Sequence, residues 1–245
     1  MRDRSGSVLT EITTDFVMQV QDSFSAKVML FGEYSILLGS PALSIPFGYF
    51  SAALRIPASD EDRMNPVCRE SNLMIRDFYD RCLSTSGIIP AVLNLELLRE
   101  ELDSGLWLDS TIPSGYGVGS SGALCASLYS RYAYELIGNN GHVKMEDIAE
   151  LRRVFIIMES WFHGKSSGLD PLVIYFRHPL IINESGSIAL ARIPQDFMKE
   201  KGKIFLLDSG QSKGTAALVP IFLEHYSPTG DKSIDGKKLY ELNQA

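Results

Sequence analysis

Cysteine is scarce, with only Cys68, Cys82 and Cys125 in 245 residues. They are odd in number, far apart and form no CxxC or similar ligand pair, so a disulfide framework is not expected. The four histidines, His142, His163, His178 and His225, include no HExxH or comparable helical pair, which argues against a dedicated transition-metal site. Positive charge is short as well. Lys and Arg number 23 against 30 Asp and Glu, leaving a net charge of −7 and a pI near 5.2. Nucleic acid therefore has no global electrostatic support as a partner, and any anion must be held by local groups. No long uncharged apolar run is present, and the first twenty residues mix charges with apolar positions without an h-region. Neither a membrane span nor a secretory signal is expected, and a cytoplasmic location is.

What remains is the composition of a soluble globular chain, 45% hydrophobic and 22% charged, long enough for one large domain or two small ones. Residues 1–22 read as an extension without functional assignment, with Met18 as an alternative start. From Phe24 onward "AKVMLFGEYSILLGSPALSIPFGYFSAALRIP" offers β-branched and apolar runs broken at Gly32, at 39–41 and at Pro46, which predicts strands joined by turns. The cluster 59–66 reads as a polar loop, and 67–104 mixes helical periodicity with breaks at Gly87 and Pro90. Two helices follow. One carries Leu124, Leu128, Tyr132 and Leu136 on one face and ends at 138–141; the other carries Met145, Ile148, Leu151, Phe155 and Phe162 and stops at Gly164. "PLVIYF" and "KIFLLD" read as later strands. The picture is a mixed α/β chain with strands first and helices interleaved.

The stretch "IPSGYGVGSSGAL", 112–124, packs four glycines and three serines ahead of a helix. A flexible loop is the plainest account of it. A Walker A loop requires GxxxxGK[ST], and no lysine occurs between Ser110 and Arg131. Gly117, Gly119 and Gly122 satisfy GxGxxG with Glu135 downstream, but Pro113 and Ser114 interrupt the approach from "LWLD" and Glu135 falls inside the helical run, so a dinucleotide fingerprint is poorly supported. The third reading is a phosphate cradle at a helix N-terminus, with Ser120 and Ser121 adding hydroxyls for phosphate or Mg²⁺.

Two carboxylates and a lysine sharpen the question. Glu159 lies in "VFIIMESWF", so apolar that an ionised carboxylate there needs a compensating cation or donor, unless it is a solvated position at the helix end. Asp170 precedes Pro171, which predicts an extended or turn conformation, and could equally be a turn-forming residue. Lys27 opens the "KVMLF" strand, where a lysine is usually a solvated edge.

Together these segments resemble the GHMP kinase superfamily. "AKVMLFGEYSILLGSPALSIP" is similar to its first motif, "IPSGYGVGSSGA" to its phosphate-binding motif, "MESWFHGKSSGLD" to the metal-and-base segment of the mevalonate kinase branch, and "LLDSGQSKGTAALV" to the strand and turn that follow. The matches occur in family order between about residues 24 and 219. The resemblance implies an α+β fold: a two-layer N-terminal domain like that of certain ribosomal proteins, covering 23–219, followed at 220–245 by the start of a ferredoxin-like C-terminal domain. It implies transfer of the ATP γ-phosphoryl group to a small-molecule alcohol with Mg²⁺ as cofactor. By matched position, Pro113, Gly115, Gly117, Gly119, Ser120, Ser121 and Gly122 would bind ATP, and Ser121 and Glu159 would hold Mg²⁺. Asp170 would accept the hydroxyl proton, and Lys27 would sit beside that hydroxyl and the γ-phosphate. Glu33, Tyr34, His163 and Thr215 would line the acceptor pocket. "FHGKSSGLD" points to mevalonate as the acceptor, whereas "GEYSILLG" lacks the acidic sugar-reading residue of galactokinases. Tyr34 stands where mevalonate kinases usually have His, and "GEY" is also common in phosphomevalonate kinases, which keeps that substrate open.

The family's second glycine-rich motif, of GxGGGG type, is not found in these residues, which end in "DGKKLYELNQA". The expectation is a truncated gene product with half of an apolar interdomain interface exposed, favouring self-association such as a homodimer. A nucleotide-binding pseudokinase is the non-enzyme alternative, and a Rossmann oxidoreductase is a third class.

Overall fold

The computed structural model describes residues 23–84, 87–138, 143–164, 166–191, 207, 215–226 and 238. Strand β1 (Ser23–Phe31) pairs antiparallel with the long β2 (Ala42–Arg55). The predicted break at Pro46 is absent, since Pro46 pairs with Lys27 inside β2, and the irregularity comes just after it. Ser25 pairs with Ser51 and Ala26 with Phe47, so the stretch around Gly48 bulges out and β2 continues. Helices α1 (Asp60–Met64), α2 (Pro66–Ser84), α3 (Ile88–Val92) and α4 (Leu95–Asp103) follow, and then β3 (Trp107–Ser110) returns to pair with the far end of β2. The polar cluster at 59–66 is thus partly helical. Ser59 caps α1 by accepting the Asp62 N–H, and three acidic residues occupy the first turn, where the helix dipole favours them.

Helix α5 (Ser120–Tyr132) is shorter than its periodicity predicts. It stops at Ala133, which turns extended and bridges Leu93, leaving Leu136 outside the helix and half exposed. Helix α6 (Met145–His163) matches the expected span, with Ile148, Leu151 and Phe155 buried and Met145 exposed. "PLVIYF" is not a strand. It lies in α7 (Leu169–Phe176), an apolar run too short for periodicity to separate strand from buried helix. Gly168 in the left-handed conformation starts α7, and Pro171 falls in its first turn, where no intrahelical N–H partner is needed. Strands β4 (Leu180–Ile182) and β5 (Ile188–Leu190) complete a five-stranded sheet in the order β1-β2-β4-β5, with β3 also on β2. Helix α8 (Thr215–Tyr226) follows. Residues 1–22 and the expected strand "KIFLLD", apart from an exposed Leu207, lie outside the described residues.

Helices α5 and α7 pack on one another and on β1 and β2, so the architecture is a helical layer on an antiparallel sheet. Phe24 stacks on Tyr175, which meets Tyr129 and Phe155 edge-on, and all four rings are buried. Every strand pair among the described residues is antiparallel, which removes the dinucleotide reading, since that fingerprint needs a parallel βαβ unit. Glu135 lies beyond the end of α5, and its backbone carbonyl accepts from the Tyr129 hydroxyl.

A half-buried charge network ties α4 to α5. Arg131 donates to both oxygens of Glu101 at 2.7 Å, and the Tyr132 hydroxyl donates to Oε2 at 2.5 Å. Removing the guanidinium leaves a partly buried carboxylate underpaired. Arg131→Ala is expected to lower unfolding stability by about 2 kcal/mol, read from urea titration; an unchanged midpoint would show the network to be neutral.

Candidate active site

Sequence motifs far apart in the chain meet where β1, the glycine stretch and α7 come together. Lys27, at a strand start that is usually a solvated edge, is only 4% exposed. Its backbone N–H donates to the Val118 carbonyl at 3.0 Å, which fastens β1 to the glycine loop. Its ammonium lies 3.0 Å from Asp170 Oδ1. Asp170 is not extended, as its place before proline predicts; it sits in the first turn of α7.

The glycines explain how these groups approach so closely. Gly119 takes φ 88° as the residue preceding α5, and a Cβ there would lie 2.9 Å from both Lys27 Cγ and Ile174 Cδ1. A Cβ on Gly122 would meet the Pro171 nitrogen at 3.0 Å and Asp170 Cβ at 3.1 Å. Bare backbone at these two positions is required by the lysine and the aspartate themselves. Gly117, with φ 71°, has nothing within 4 Å, and Gly115 is likewise left-handed. Residues 114–117 are exposed, Pro113 is half-buried, and no side chain caps the N-terminus of α5 that begins at Ser120. Ser120 Oγ lies 3.4 Å from Ser114 Oγ. An open loop running into an uncapped helix N-terminus can hold an anion.

Glu159 is 5% exposed, which rules out a solvated helix end. One of its oxygens accepts from Ser121 Oγ at 3.4 Å and the other from Ser166 Oγ. Ser166 also accepts the Gly168 N–H at 2.9 Å, so its hydroxyl joins the carboxylate to the start of α7. The sequence reading missed Ser166. The only signal for it was a pair of serines in a glycine-flanked loop, with nothing to mark which of them turns inward. Arg152 donates to the Ser167 carbonyl at 3.0 Å and supports the same loop.

Burial opposes the Lys27 charge, but the contact with Asp170 and the negative charges of Glu33 and Glu159 outweigh it, and the lysine pKa is raised. For Glu159, burial and then the Asp170 charge push the carboxyl up to about 7, against the opposing effects of Ser166, Lys27 and Ser121. Of the expected acceptor-pocket residues, Glu33 is near enough to act electrostatically on Lys27, and Tyr34 packs its ring on Phe222 of α8. His163 ends α6 and Thr215 begins α8; their side chains lie outside the described residues.

Among the described residues no three His, Cys, Asp or Glu side chains form a metal cluster. One carboxylate and one hydroxyl, Glu159 and Ser121, are nonetheless a donor set suited to Mg²⁺, which keeps waters and shares phosphate oxygens instead of using an all-protein cage.

Residues 88–178 match the family model described as GHMP kinases N terminal domain, in agreement with the resemblance carried by the motifs at 112–123 and 158–170. That segment contains the glycine loop, Glu159 and Asp170. Among curated proteins, the mevalonate kinase of Pyrococcus furiosus is 30% identical over 172 residues and that of Thermococcus onnurineus 28% identical over 173. Each alignment covers 64% of this chain and 49% of the relative, so the chain spans about half the length of the curated relatives it matches. Among solved structures, a crystal structure of mevalonate kinase (TM-score 0.48) and the Methanococcus jannaschii mevalonate kinase (TM-score 0.47) are each 18% identical. Both cover 91% of this chain and, respectively, 71% and 70% of their own.

Two predictions follow from the packing and the charges. Gly119→Ala and Gly122→Ala are each expected to cost about 1–3 kcal/mol, whereas Gly117→Ala costs only its φ strain, about 1 kcal/mol. Thermal unfolding of the three variants should separate them in that order. For the metal-free chain, Glu159 has a folded pKa of about 7 against an ordinary 4.5. Between those values the folded state holds a proton that the unfolded state has released. The stability associated with this proton is therefore full below about pH 4.5 and lost as pH rises through about 7, on the order of 3 kcal/mol. Glu159→Gln should flatten that part of the pH–stability curve and raise the melting temperature at pH 8; an unchanged curve would mean that Glu159 is solvated.

Proposed function

We propose that the chain is the nucleotide-binding part of an ATP-dependent kinase that phosphorylates a small-molecule alcohol, with mevalonate as the acceptor. The observation that carries this reading is the buried Lys27–Asp170 pair at 3.0 Å beside an uncapped, glycine-led helix N-terminus. A protein that only binds nucleotide has no need of a carboxylate base held next to a buried cation. The acceptor is supported by the motif "FHGKSSGLD" and by the mevalonate kinases among the relatives. The division into an ATP-binding part at 23–219 and the beginning of a further domain at 220–245 belongs to the same reading.

In this reading the open loop from Pro113 to Gly117 and the first turn of α5, Gly119 to Gly122, hold the phosphates of ATP. Ser121 and Glu159 would hold Mg²⁺, which supplies charge neutralisation at the phosphate oxygens when bound. Asp170 accepts the proton of the acceptor hydroxyl as the oxygen forms its bond to the γ-phosphorus. The bond from that phosphorus to the bridging oxygen breaks, and ADP leaves with the electron pair. Lys27 stabilises the negative charge that develops on the attacking oxygen and on the transferring group. Positioning and electrostatics supply most of the acceleration in such a transfer, which suits a site whose members are fixed by close packing.

The test is ADP formation from Mg-ATP with mevalonate, phosphomevalonate, homoserine and galactose in turn. Turnover is expected with mevalonate, and Asp170→Asn should lower it about 10²–10⁴-fold while ATP binding, followed by calorimetry, stays within about twofold. ATP binding without ADP formation in the presence of any of these acceptors would replace this reading with a nucleotide-binding module.

A further inference from the structure

Tyr34 and Arg177 are the non-glycine residues with positive φ among the described residues. With φ 62° and ψ −42°, Tyr34 is the centre of a three-residue turn closed by the Ser35 N–H donating to the Glu33 carbonyl at 2.8 Å. This is the γ-turn of positive φ, rare and strained for a residue that bears a side chain, and it persists only where the surroundings impose it. Its flanks are pinned. A Cβ on Gly32 would lie 2.4 Å from Ala42 Cβ, and Gly39, also left-handed, closes the short 3₁₀ turn of Ser35–Leu38.

The ring of Tyr34 is held from elsewhere. It stacks on Phe222 with centroids 5.4 Å apart and planes 29° apart, and Phe222 in turn stacks on Tyr226 at 5.0 Å and 28°. Two rings of α8 thus extend a stack that begins in the turn after β1, the strand that carries Lys27. Glu33, the residue before Tyr34, bears electrostatically on Lys27. The conformation of this turn therefore decides where a carboxylate and a phenol sit relative to the Lys27–Asp170 pair.

We propose that Phe222 is a positioning residue. By stacking on Tyr34 it holds the Glu33–Ser35 turn in its strained form and so fixes one wall of the acceptor pocket. The word acceptor rests on the kinase reading above, whereas the clasp between α8 and the turn does not. Phe222 touches no reacting atom; its effect passes through Tyr34.

The experiment measures hydrogen exchange at residues 33–37 in the full chain, together with KM for mevalonate and for ATP. Phe222→Ala is expected to speed exchange at Ser35, Ile36 and Leu37 by about tenfold while amides of α5 and α7 keep their protection. It should raise KM for mevalonate about tenfold and leave KM for ATP within about twofold, and Phe222→Tyr should restore both. Tyr34→Gly, which adopts positive φ without strain, supplies the second arm: in that background Phe222→Ala should add nothing to the exchange rates. Unchanged exchange at 33–37 in Phe222→Ala overturns the proposal. So does protection lost equally in α5, or an undiminished effect in the Tyr34→Gly background. If the wild-type chain phosphorylates no alcohol, the kinase reading and the pocket-wall role fall together, and the exchange data still decide whether α8 clasps the turn.

Discussion

An ammonium group nearly sealed from water, 3.0 Å from a carboxylate, is the constraint around which the rest of the molecule is arranged. A buried lysine without a partner would shed its proton or unfold the region around it, so Asp170 has to arrive. It arrives because α7 starts where Gly122 leaves room for the Asp170–Pro171 step, and because Gly119 lets the Lys27 stem pass beneath α5. The hydrogen bond from Lys27 N–H to the Val118 carbonyl fixes the third side. Sheet, loop and helix layer are mutually placed by contacts that also place the charges, which is why a methyl group at either glycine would disturb packing and chemistry at once.

Around that pair the charges are unequal in number. Three carboxylates, Asp170, Glu33 and Glu159, act on one lysine, and burial of Glu159 tips it toward the protonated form near neutrality. Ser121 and Ser166 soften this without removing it. Such an arrangement leaves the site short of positive charge at its inner end and open at the glycine loop. A divalent cation accompanied by phosphates would meet both needs, and the oxygen donors of Ser121 and Glu159 suit a hard cation.

The sequence made some of this legible and hid the rest for physical reasons. The glycine stretch and Glu159 stood out because their residue types conflict with their surroundings: bare backbone before an apolar helix, a charge within an apolar run. Lys27 and Asp170 carried weight only in combination with them, through the resemblance to the GHMP kinase superfamily. The role of the glycines was only half visible. Phosphate approach suggested itself, whereas the need of Gly119 and Gly122 to clear Lys27 and Asp170 depends on partners far away in the chain. "PLVIYF" read as a strand because a six-residue apolar run satisfies strand and buried helix alike, and the Asp-Pro step seemed to forbid what the unpaired first turn of a helix allows. Leu136 continued a periodic face beyond the true end of α5, since the stop is imposed by the Ala133–Leu93 bridge and not by a local breaker. Ser166 was marked by no more than a serine pair in a glycine-flanked loop and Phe222 by nothing local, as their importance lies in what they touch.

Strand β3 pairs with the end of β2, yet the two are separated in the chain by the whole run from 56 to 106, which holds α1–α4. That helical excursion leaves the sheet and returns to it at neighbouring positions, and none of Lys27, Glu159 or Asp170 lies on it. Its core face is held by the Glu101–Arg131 pair and by Phe78 against Trp161 and Phe162, whereas its outer surface is free to change at little cost to the site. Differences in this segment between otherwise similar chains would then record adaptation of surface and partners while the chemistry stays the same.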